Sequence, residues 1–105
     1  MSSIWDVVIW SGHADRLIPE LEKFADNHQR SAAFLRPPID ALSMGGVDLI
    51  TGQVNHLDPD VILRIVQDVH AAEQFWRPAT VLLSNEYDCG ELPRVHQLGD
   101  DGVWR

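Results

Sequence analysis

An α+β domain with two helices packed on one face of a mixed or antiparallel sheet is the fold class the sequence predicts, and three observations predict it. Segments dense in β-branched and aromatic residues alternate with two stripes of apolar residues at helical spacing. The last third breaks into short alternating runs separated by turn residues, the pattern of an antiparallel meander. A chain of 105 residues buries about two thirds of the surface its unfolded form exposes, so a single domain over residues 1–105 needs neither disulfides nor a metal.

The first strand is read from Ile4-Trp5-Asp6-Val7-Val8-Ile9-Trp10, which Ser11-Gly12 ends. A helix is the rival, because Ser3 and Asp6 fit a capping box and Ile4, Trp5, Val8 and Ile9 share a helical face. Composition favours the strand. Trp5 and Trp10 then have opposite parity and face opposite sides of the sheet. If helices cover one side, the other calls for a second layer, a second copy or a partner.

Ala14, Leu17, Ile18, Leu21, Phe24 and Ala25 recur at helical spacing, with Asp15, Glu20, Glu22, Lys23 and Asp26 on the other face. Pro19 implies either that the regular helix starts there or that it kinks. Residues 29–46 read as an irregular connection, with Arg36-Pro37-Pro38 unable to sit inside a helix or a central strand. Pro38 could open a short helical turn through Leu42. A connection of this length is a candidate functional loop. A second strand follows over Val47–His56, where Gly52 signals a bulge or a close backbone approach.

The clearest signal is a helix start. Asp58 is placed as N-cap, Pro59 at the first helical position, and Asp60 near the positive end of the dipole. Val61, Ile62, Ile65, Val66, Val69 and Ala72 form its apolar stripe, and Arg64 and Asp68 are spaced to pair. This helix ends before Pro78, with Phe75 and Trp76 expected to cap the core below it. Ala79–Tyr87 is a strand, Cys89–Pro93 a turn, Arg94–Leu98 a strand and Gly99-Asp100-Asp101-Gly102 a turn, after which Val103-Trp104 can pair back. The predicted order is β-α-loop-β-α-β-β-β.

Sixteen acids against eight bases give a net charge of −8. That balance argues against a direct nucleic-acid binder, which needs cations to neutralise phosphates, and against docking on an anionic membrane. One cysteine, Cys89, allows no internal disulfide, and the N-terminus has no basic stretch leading into a long apolar run. The expected location is cytoplasmic. Seven of the eight basic residues are Arg, a skew that leans toward a GC-rich bacterial or phage source.

Candidate chemistry is sparse. His56, Asp58 and Asp60 cluster at a strand-to-helix junction, where an acid–base pair or a metal nest is one reading, but capping accounts for both carboxylates. His70 and Glu73 lie three apart and could share a metal; with no second pair to close a site, His70 is expected on the solvent face of its helix. Ser11, His13 and Asp15 hold triad residue types, yet triads assemble in space and not along five residues; Ser11 or Asp15 is expected to cap the following helix. Acids around Cys89 disfavour its thiolate. No phosphate-loop or dinucleotide motif occurs, so no catalytic residue, cofactor or metal is expected.

Charge is concentrated at the end of the chain. Glu86, Asp88, Glu91, Asp100 and Asp101 face only Arg94 within sixteen residues. Together with Trp104, near the C-terminus, they are the predicted partner-binding set. The function this implies is a small acidic, non-enzymatic protein-binding module of inhibitor or immunity type that neutralises a basic partner surface. The alternatives are a small enzyme or metal-binding domain centred on His56, Asp58 and Asp60, or a homodimeric scaffold domain.

Overall fold

In the computed structural model, which describes residues 4–28, 31–35, 48–86 and 92–105, five strands form one antiparallel sheet. The elements are β1 (Ile4–Ser11), α1 (Ala14–Asn27), β2 (Ala32–Leu35), β3 (Asp48–Asn55), α2 (Asp60–Ala72), β4 (Ala79–Asn85) and β5 (Arg94–Leu98). Their spatial order is β2-β3-β1-β4-β5. The first six elements follow the split β-α-β-β-α-β plan, and β5 adds an edge strand.

Alternation places the core. In β1, Trp5, Val7, Ile9 and Ser11 are buried, and in β3 and β4 the matching positions are Ile50, Val54, Ala79, Val81 and Leu83. From the helices, Ala14, Leu17, Leu21, Ile62 and Val66 complete one cluster with this sheet face. Both apolar stripes thus lie on the same side, as two helices over one face require. Trp5 is buried and Trp10 is exposed, as their parity demands.

Residues 32–35 correct the sequence reading, which placed them in an irregular connection. They pair with β3 from Ala32↔Val54 to Leu35↔Thr51. Ala-Ala-Phe-Leu carries little intrinsic strand preference; the open edge of β3 supplies the pairing. The turn expected from Pro38 to Leu42 lies outside the described residues. Gly52 sits in an unbroken register, so it is no bulge. It is a close approach, because a Cβ there would run into the Ala33 carbonyl and the Phe34 ring.

Both helix starts differ from expectation in detail. α1 begins at Ala14 and runs through Pro19, whose ring is exposed. Its first turn is not capped by a side chain. In α2, Pro59 already has helical dihedrals (−64°, −18°), and the Asp60 N–H donates to Asp58 Oδ1 at 3.0 Å, so Asp58 does the predicted capping one residue before the assigned boundary. Arg64 and Asp68, both exposed, form no ion pair with each other.

The chain end folds back as predicted. Gly102 N–H donates to the Gly99 carbonyl (3.0 Å) with Gly102 at φ +78°, and Trp104 bridges to Leu98. Among the described residues no helix is long and apolar enough to cross a membrane.

Candidate functional site

Both described helices pack on one face of the sheet, and among the described residues no helix lies on the other. Register aligns Leu35, Thr51, Val8, Leu82 and Val95 in one row that crosses all five strands. The row ends on two well-exposed apolar side chains, Leu35 (64%) and Val95 (56%). Beside it Trp10 stands between Leu49 and Thr80.

At the other end of this face Asp6 pairs in register with Gln53 and Ser84. Gln53 Nε2 donates to Asp6 Oδ1 (3.0 Å) and to Glu86 Oε1 (3.2 Å), which draws two carboxylates to one amide. A hydrogen bond with the Asp6 carboxyl, helped by desolvation and by repulsion between the two groups, pushes the Glu86 carboxyl above its ordinary range.

The predicted partner-binding residues scatter. Glu86 lies at this end of the sheet, while Asp100 and Asp101 occupy the turn after β5 at the opposite end. Asp88 and Glu91 lie outside the described residues. Among the described residues Arg94 forms no ion pair with Glu86, Asp100 or Asp101. It ion-pairs with Asp60 of α2 and lies over the Trp5 ring, 5.5 Å from its centroid. Asp101 is matched instead by Arg105 (3.1 Å) and accepts the Val103 N–H (3.1 Å). Trp104 packs half-buried against the core, edge-on to His96.

The His56, Asp58 and Asp60 cluster disperses into structural duties. His56 takes a left-handed backbone conformation (φ 58°) and is exposed, Asp58 caps, and Asp60 holds Arg94. No group of three potential metal ligands occurs among the described residues.

Sequence reasoning missed a contact between β1 and α2. His70 is buried, not solvent-facing, and its Nε2 lies 2.8 Å from Ser11 Oγ. Ser11 Oγ also accepts the His13 N–H (3.0 Å), and the two imidazoles meet edge-to-face at 4.8 Å. A Ser–His contact of this length resembles an activated nucleophile. Here, however, Ser11 is fully buried, and no hydrogen bond orients His70 through Nδ1. The pair ties β1 to α2. Burial, then the neighbouring His13, lower the His70 pKa from 6.5 to about 4, so the ring is neutral near pH 7.

Phe75 and Trp76, expected to cap the core, instead stand in solvent at 70% and 53% exposure.

No protein-family model matches this chain, and no curated protein matches its sequence. Among solved structures the chain is similar to the de novo designed protein Foldit4, at 12% identity and a TM-score of 0.46, over 84% of this chain and 99% of that one.

Proposed function

We propose that this chain is a small acidic, non-enzymatic protein-binding module that neutralises a basic partner surface, as an inhibitor or immunity-type protein does. The observation that carries this reading is the sheet face opposite the helices, on which no helix of the described residues packs. It offers a largely apolar row, broken only by Thr51, and toward the other end of the same face Asp6 and Glu86 converge on the Gln53 amide. A partner that presents apolar side chains beside Arg or Lys complements both halves. The net charge of −8 steers such a partner in from solution.

Host proteins captured on the immobilised chain at low and high salt test this, with Val95→Lys as the comparison. That substitution adds a repelling charge at an exposed site. The expected result is salt-sensitive capture of a basic protein that Val95→Lys abolishes. Capture that ignores both salt and the substitution overturns the reading. So does a wild-type dimer that Val95→Lys converts to monomer, which would assign the face to a second copy.

A further inference from the structure

A cleft of about 370 Å³ opens where the end of α2, the segment leading to β4 and the turn after β5 meet, with Gln67, Trp76, Leu98, Gly99 and Asp100 among its walls. A neighbouring hollow of about 340 Å³ shares Trp76, Leu98, Gly99 and Asp100 and ends at Arg105. The cleft has the volume of about a dozen water molecules, which suits one long side chain and excludes a folded element.

Its chemistry is one-sided. Glu73, Asp100 and Asp101 line it, and its own walls hold no Lys or Arg, Arg16 and Arg105 reaching the acids from outside it. Glu73 is engaged by Arg16 (3.6 Å) and Asp101 by Arg105 (3.1 Å), whereas Asp100 makes no hydrogen bond or ion pair among the described residues. His70, also in the wall, is neutral and repels no cation. Trp76 presents an exposed indole, whose negative ring face attracts cations, best of all a flat guanidinium that can stack on it. Arg105, seated on Asp101, is already one guanidinium held at this turn.

The geometry points to a receptor for the guanidinium of a partner's arginine, between the Trp76 indole and the Asp100 carboxylate. The inference rests on the reading of the chain as a module for a basic partner and names one group by which that partner is gripped. The planar ion can stack on the indole and place two N–H donors on the carboxylate, which a lysine ammonium cannot do.

The test is titration of the ¹⁵N-labelled chain with N-acetyl-argininamide, read at the four indole N–H signals, and again with the citrulline analogue, a neutral isostere. A saturable shift at Trp76, with none at Trp10 and none from the neutral analogue, is expected. Asp100→Asn should raise the apparent Kd about fivefold, the loss of one exposed charge pair. Trp76→Ala should abolish binding as read at the Gly99 and Asp100 amides, and Trp76→Phe should keep part of it. No saturation up to the solubility limit, an equal response to the neutral analogue, or an unchanged Kd in Asp100→Asn overturns the proposal. Because the probe is a small molecule, its failure is separate from failure of the sheet-face reading, which capture with Val95→Lys decides.

Discussion

Ser11 Oγ lies 2.8 Å from His70 Nε2, both groups buried and 59 positions apart in the chain. The contact closes the end of β1 onto the last turns of α2, where β1 hands over to α1 and α2 to β4. Stability at this junction is therefore tied to the charge on one imidazole.

The fold should weaken in mild acid through His70. Its folded pKa, about 4, is below the 6.5 of the unfolded chain, so between those values the unfolded state takes up a proton that the folded state refuses. The contribution is complete above pH 6.5, is lost progressively toward pH 4, and does not change further below it. Its full size is about 3 kcal/mol. Urea midpoints from pH 7 to pH 4 check this, with His70→Gln as the non-titrating control. Parallel pH profiles for the two proteins would show that the imidazole plays no part.

Gly52→Ala should destabilise the β2 edge. Its Cβ would meet the Ala33 carbonyl and the Phe34 ring, and backbone cannot give way as a flexible side chain can. Overpacking of this kind costs about 1–3 kcal/mol. Hydrogen exchange should accelerate first at the amides of β2, with the centre of β1 protected longest.

Asp58→Ala removes the acceptor for the Asp60 N–H and should cost about 1 kcal/mol. Thermal melts measure the loss. Partner capture should persist, because the carboxylate has only a capping duty; a normally folded mutant that captures nothing would place Asp58 in the interface.

The two acids of the last turn should separate. Asp100→Asn should leave stability within about 0.5 kcal/mol, as an exposed site with no bond to lose among the described residues, and should slow association with a basic partner at low salt. Asp101→Ser gives up the Arg105 ion pair and weakens the bond to the Val103 N–H, for about 0.5–1 kcal/mol of stability. Denaturant midpoints and stopped-flow association rates distinguish the two substitutions. Equal stability losses would contradict the assignment of the turn's bonding to Asp101.

Local periodicity by itself determined much of this protein. β1, β4 and β5, the faces of both helices, the cap at Asp58 and the turn at Gly99–Gly102 are each dictated by side chains a few positions apart, and such signals are legible along the chain. The opposite parity of Trp5 and Trp10 likewise announced a second sheet face in need of cover. Tertiary structure alone decided the rest. β2 exists because β3 offers an unpaired edge to four residues with little strand preference of their own. His70 is buried because Ser11, far away in sequence, waits above the core, and a helix pattern cannot report a partner on another element. Arg94 meets Asp60 and the Trp5 ring, both far from it in sequence, since distance in space and not along the chain sets Coulombic pairing. For the same reason the candidate site was only half legible. Its acids could be counted from composition, but the largely apolar row across five strands and the Trp76–Asp100 cleft arise only when separate elements are laid side by side.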